Sequence, residues 1–336
     1  MIDNEVDYVP YQEANKIVNE LFKDECSKKE PYLNRLISEG VFNKNLHWDE
    51  KGKYFDVIYL AYQRFQDHFT VSTLLDKYLN LDHPESSFKS GPLYAIVKDI
   101  EALLHNQNMI EALSIQLPER INKELFEIIP SLKQYGLTAR SFIQSLIWRK
   151  VETVSEEVSS YINDVILNND HLFDYFFETI LSVSMKSDFY YNAEKTHAYL
   201  IEFSLSERDL IWTTWLQNKY KKEKYNISSI QRVVDWAWDE EELSYLSDDS
   251  ILLTGITLSW FLVSANRYLR DATTKALVCI LKDRMHLLPA LLDKFKDVND
   301  PYVLERLYAV SYGCALRSVD KNNIKKLGEY VYNEIF

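Results

Sequence analysis

The sequence predicts a mainly α protein: a small winged-helix domain followed by an α-solenoid of HEAT-like helix pairs. Three observations point there. Only 7 of the 336 residues are glycine and 8 are proline, where average usage would supply about 23 and about 17. So few glycines leave few tight turns and no glycine-rich phosphate loop. Neither GxxxxGK[ST] nor GxGxxG occurs, which excludes a Rossmann fold, a P-loop site and most β-sandwiches. Apolar residues at helical spacing then run through most of the chain beyond residue 80. One β-rich pair interrupts this pattern, close to the start.

Residues 1–10 are polar and read as a flexible N-terminus. Over Tyr11 to Cys26, Ala14, Ile17, Val18, Leu21 and Phe22 fall on one helical face. Pro31 opens a short helix over Tyr32 to Glu39, and Gly40 ends it as a C′ residue. Two β-rich runs, Val41 to Trp48 and Tyr54 to Tyr59, flank the polar turn Asp49-Glu50-Lys51-Gly52-Lys53 and predict a hairpin. Helix, helix, hairpin, helix is a winged-helix order, placed at 11–80.

A helical array is expected over 81–250. Its helices run Pro92 to His105, Pro118 to Ile129, Thr138 to Lys150, Ser155 to Leu167, His171 to Met185, Ala193 to Phe203, Glu207 to Tyr220 and Ile227 to Trp238. Thr153 to Glu156 and Ser206 to Asp209 read as capping boxes. Asp300-Pro301 reads as an N-cap followed by a proline at N1. HEAT-like helix pairs are expected over 251–336. There Arg270 to Leu281 aligns with Glu305 to Leu316, pairing Ala272 with Leu307 and Cys279 with Cys314, with a second helix at Leu287 to Phe295 between them.

The charge narrows the partners. The net charge is −13, which repels nucleic acid and anionic membranes. Residues 1–80 hold 10 Lys and Arg against 14 Asp and Glu, so the expected recognition helix, with Arg35, lacks phosphate-binding company. Lys219 to Lys224 is basic but follows a helix end and has acidic flanks. No apolar run approaches about 18 residues. Ile251 to Ala265 is the best and reads as a buried helix. Asp3, Glu5 and Asp7 stand where a basic leader region would be, so no signal peptide is expected, and Cys26, Cys279 and Cys314 read as reduced thiols of a cytoplasmic protein.

No catalytic spacing emerges. HExxH, GxSxG and CxxC are absent, and the seven histidines are scattered. Asp67 and His68 are neighbours on a helix and point about 100° apart, so they do not share a metal. The acidic pairs in Asp239 to Glu242 and Asp248-Asp249 read as solvated helix starts. No catalytic residue and no metal site is expected. The tryptophans read as core, and the tyrosines are divided between core and recognition surface.

Three stretches resemble a known family. Tyr54 to Leu75 resembles the end of the winged-helix domain that follows the ATPase core in NACHT-type and other STAND NTPases. There a strand leads into a helix with the pattern F-x-H-x-S-F-Q-E-F-L-A-A. Phe65-Gln66-Asp67 match F-Q-E, while the family's phosphate-reaching histidine falls on Tyr62 and its serine on Arg64. Trp260 to Leu281 and Asn299 to Gly313 resemble the helical region of bacterial antiviral STAND NTPases of the Avs type. The resemblance implies Tyr62 and Arg64 as the positions for a nucleotide-phosphate contact. It implies a non-catalytic sensor scaffold whose repeats bind a protein ligand, such as a phage protein. It also implies an adjacent ATP-binding domain and an oligomer in a longer parent. No cofactor is expected in this chain, which reads as a fragment. A stand-alone helical-repeat adaptor and a winged-helix DNA-binding regulator are the alternatives.

Overall fold

The structure is a computed structural model describing residues 8–22, 31–49, 52–220, 227–239 and 243–335. It is mainly helical, with one small three-stranded sheet. The chain divides into two compact units, Met1–Phe142 and Ile143–Phe336. The expected boundaries at 80/81 and 250/251 divide it differently. The first is bridged because residues 63–78 are tied by side chains to residues 107–121, as described below.

The first unit runs β1 (Val9–Pro10), α1 (Tyr11–Leu21), α2 (Tyr32–Ser38), β2 (Phe42–Trp48), β3 (Tyr54–Leu60), α3 (Gln63–Tyr78), α4 (Gly91–Val97), α5 (Ile100–His105), α6 (Gln107–Ile121) and α7 (Leu125–Ile128), and reaches into α8 (Gly136–Leu146). The predicted hairpin is present. β2 and β3 pair antiparallel, from Phe42 opposite Leu60 to Trp48 opposite Tyr54. Gly52 sits in its turn at φ 75°, and Asp49 takes the amide of Lys53 on its Oδ1 at 2.8 Å. Gly40, at φ 71°, ends the second helix as expected.

Of the segment 1–10 expected to be flexible, residues 1–7 lie outside the described residues and the last two form a strand instead. Val9 and Pro10 add a third strand beside β3, with Val9 opposite Ile58, giving the order β1-β3-β2. Two residues are too short to show a strand's alternation. Ala14, Val18, Leu33 and Ile58 form the core beneath this sheet. A second core gathers Val71, Leu75, Leu93, Ile110, Leu113 and Leu117.

Some helix limits differ from expectation, each for a local reason. Pro92 to His105 is two helices, because Asp99 accepts the amide of Ala102 at 2.8 Å and starts α5 afresh. Pro118 lies inside α6, which ends at Asn122 in the left-handed region, φ 53°. Ser155, not Thr153, caps the next helix by accepting the amide of Val158. Ser204 and Glu207, not Ser206 and Asp209, form the second capping box.

The second unit continues with α9 (Glu156–Tyr161), α10 (Asp170–Ile180), α11 (Ala193–Ile201), α12 (Leu205–Arg208), α13 (Thr214–Lys219), α14 (Ser229–Asp239), α15 (Asp248–Phe261), α16 (Arg267–Leu281), α17 (Leu288–Phe295), α18 (Pro301–Arg317) and α19 (Lys321–Ile335). Asp300 caps α18 on the amide of Tyr302, with Pro301 next, as its sequence foretold. α15 is the predicted buried helix, with Ile251, Ile256, Leu258 and Trp260 fully enclosed. Among the described residues no helix is long and apolar enough to cross a membrane. Cys279 and Cys314 are free thiols, and burial pushes the Cys314 thiol up to about 12. Cys26, Lys221 to Lys224 and Glu240 to Glu242 lie outside the described residues.

α16 packs on both α15 and α18. At the second contact a Cβ added to Gly313 would lie 2.9 Å from Cγ2 of Val278. Gly313→Ala is therefore expected to destabilise the unit by about 1 kcal/mol, because overpacking of about 1–3 kcal/mol outweighs the gain in helix propensity. In a Val278→Ala background, where the obstructing methyl is gone, the same change should stabilise. Denaturant midpoints of the four proteins decide this, and an unchanged sign would refute the steric account.

An indole-centred network occupies the core of this unit. Trp212 donates its Nε1–H to the carbonyl of Trp260 at 2.9 Å, and Trp260 donates to Nδ1 of His197 at 3.2 Å. Arg208 lies 5.3 Å over the Trp260 ring and donates to the carbonyl of Leu200 at 3.4 Å. Burial, then the charge of Lys294, holds the His197 imidazole below its ordinary 6.5. The folded state thus takes up fewer protons than the unfolded one. The stability that this difference supplies is full above 6.5 and is lost as pH falls below that value. His197→Asn keeps an acceptor near the position of Nδ1 but cannot titrate. It should flatten this acid-side loss in melting curves, and an unaltered pH profile would show that His197 does not contribute.

Candidate functional site

The sequence singles out the start of α3. Tyr62 stands at its N-cap position in extended backbone, φ −118° and ψ 117°, without a side-chain cap. Its carbonyl accepts the amide of Phe65 at 3.1 Å, and its ring meets that of Phe65 edge-on at 5.6 Å. Arg64 reaches across to α6. Its Nη2 donates to Oε2 of Glu111 at 2.7 Å, and Glu111 is only 7% exposed. The structure thus separates the two sequence-selected residues. Tyr62 faces solvent, and Arg64 neutralises a buried carboxylate on α6.

The Arg64–Glu111 pair is one of several polar links between α3 and α6. Asn108 donates to Asp67 at 3.1 Å and Gln116 to the carbonyl of His68 at 2.9 Å. Arg120 donates to Asp76 and to Oγ of Ser72. Side-chain specificity therefore fixes the rotation of α3. At 100° per residue, Val71, Leu74 and Leu75 share the inward arc, and Phe65 and Phe69 fall on the opposite one. Phe65 is 59% exposed, Phe69 60% and Tyr62 62%.

Three aromatic rings at the start of one helix are thus held toward water. Water gains from covering such rings, each fully buried one being worth about 1.5–3 kcal/mol. The arrangement suits recognition by packing: of the titratable groups beside it, Asp67 is engaged by Gln63 and Asn108, and the His68 ring stands against Phe69. The sequence contained the signal: α3 carries apolar residues on two arcs, and only one arc is needed for the core. Aromatic residues at helical spacing are usually core, which masks the second arc.

The remaining sequence candidates have structural roles. Asp67 accepts from Gln63 at 3.1 Å as well as from Asn108, and the His68 ring stands edge-on to Phe69. Arg35 lies 5.8 Å over the ring of its neighbour Tyr32. Asp248 accepts from His286 and from Arg284, and the His286 contact holds its carboxyl below the usual range. Lys219 binds Asp174. Among the described residues no group of three His, Cys, Asp or Glu is placed to hold a metal. Compared with known proteins, the chain matches no family model, no curated protein and no solved structure.

Proposed function

We infer that this chain is a regulatory and sensor scaffold segment of a STAND-type defence NTPase. Its winged-helix-like part docks on an adjacent ATP-binding domain, and its HEAT-like helix pairs engage a protein ligand. The observation that carries this reading is the exposed face of Tyr62, Phe65 and Phe69. It lies on the same stretch, Tyr54 to Leu75, whose pattern resembles the end of the family's winged helix. A domain covering those rings would hold a closed state. A ligand on the helical array opens it only by the difference in its affinity for the two states. The net charge of −13 favours a protein over nucleic acid as the partner.

A photo-crosslinking residue in place of Phe65, in cells that make the protein, tests this. The expected adducts carry peptides with a GxxxxGK[ST] loop, on the same polypeptide or another. Adducts confined to proteins without such a loop would replace this reading with a stand-alone adaptor. Adducts to DNA would replace it with a regulator, and a silent Phe65 would remove the docking face.

A further inference from the structure

We propose that the second unit holds a binding site for a small planar aromatic acid, in the cavity enclosed by α9, α10, α11 and the segment before α11. Its volume is about 280 Å³, near the lower edge of ligand pockets and enough for one or two fused rings. Phe176, Phe177 and Tyr199 line one side, with Phe176 and Phe177 edge to face at 5.3 Å. Tyr190 lines another, under the ammonium of Lys195 at 4.7 Å from its centroid. A lining this rich in aromatic rings, two of them at a steep angle to each other, suits an aromatic guest better than an aliphatic one.

A packing defect would be apolar throughout, and this cavity is not. Thr196 is 6% exposed and lines it, and its Oγ1 has no hydrogen-bond partner. Burying an unpaired hydroxyl is unfavourable, so a partner is expected from outside the chain. Another part of the lining is also unusual. Residues Ile162–Ile166 form a π-helical turn closed by the amide of Leu167 on the carbonyl of Ile162 at 2.9 Å, and Ile162 and Asn163 face the cavity. Such turns give up regular helix geometry and recur at functional sites.

Charge gives the guest its polarity. Lys195 and Glu202 both line the cavity, seven residues apart on and just beyond α11, a rise of about 10 Å. An acidic group belongs at the Lys195 end and a hydrogen-bond donor toward Glu202. Burial and the Glu202 charge raise the Tyr199 phenol, which stays neutral as a wall.

Indole-3-propionate has this shape: a fused ring, a carboxylate at one end and an N–H at the other. Saturation-transfer NMR with the full chain should show saturable binding. Lys195→Met, at an exposed position, should weaken it about tenfold and leave the amide analogue unaffected. Thr196→Val, which preserves shape, should weaken it about fivefold. Octanoate should not compete. Absence of binding, equal binding by octanoate, or indifference to both substitutions would each overturn the proposal.

Discussion

Trp260→Ala is expected to cost the second unit about 3–5 kcal/mol, the range for emptying the site of a large buried aromatic. The side chain is fully enclosed and touches three partners of different kinds. Its ring packs on Phe295 at 5.2 Å between centroids, it supports the Arg208 guanidinium, and its Nε1–H satisfies His197. Truncation opens a cavity, removes the ring under a buried cation and orphans a buried acceptor. Trp260→Phe separates these effects. It keeps most of the packing and loses the hydrogen bond, and should cost nearer about 1–2 kcal/mol. Denaturant unfolding followed by far-ultraviolet circular dichroism measures both. A loss for the alanine variant no greater than for the phenylalanine variant would show that the core collapses freely around the gap.

Arg64→Ala should destabilise the first unit by about 2 kcal/mol, because it strands the Glu111 carboxylate in a site that is 7% exposed. The value sits below the full range for a broken buried pair because Arg64 is itself 47% exposed. Adding Glu111→Gln removes the stranded charge and should return much of the loss. The two changes are thus expected to be strongly non-additive. Additive losses, or no loss from Arg64→Ala, would mean that Glu111 does not depend on this guanidinium for its charge balance.

Much of the architecture was legible because it rests on local chemistry. The α2–hairpin–α3 order follows from Pro31, Gly40 and Gly52 at positions where their backbone preferences act. Asp300-Pro301 marked its helix start unaided. Errors arose where a second element decided. Ser204 and Ser206 are both plausible caps, and only the reach of Glu207 to the Ser204 amide chooses between them. β1 exists because β3 offers an open edge, which two residues cannot announce. Arg64 was legible as a polar residue at a motif position. Its partner lies 47 residues away, beyond the reach of any local pattern. The aromatic cavity was invisible for the same reason, since its walls come from three helices and the segment before α11.

The distribution of indoles gives each unit its own optical character. Six of the seven tryptophans lie in Ile143–Phe336, and Trp48, at the exposed end of the hairpin, is the single one in Met1–Phe142. Trp212 and Trp260 are shut away from water, so their emission should be blue-shifted, while Trp48 should emit at the wavelength of hydrated indole. Indole fluorescence will thus follow the second unit almost alone. A melt in which dichroism moves before fluorescence would mark the first unit yielding first. Trp148 is as exposed as Trp48, so in a Trp148→Phe variant a red-edge emission change would report the hairpin being covered by whatever docks nearby.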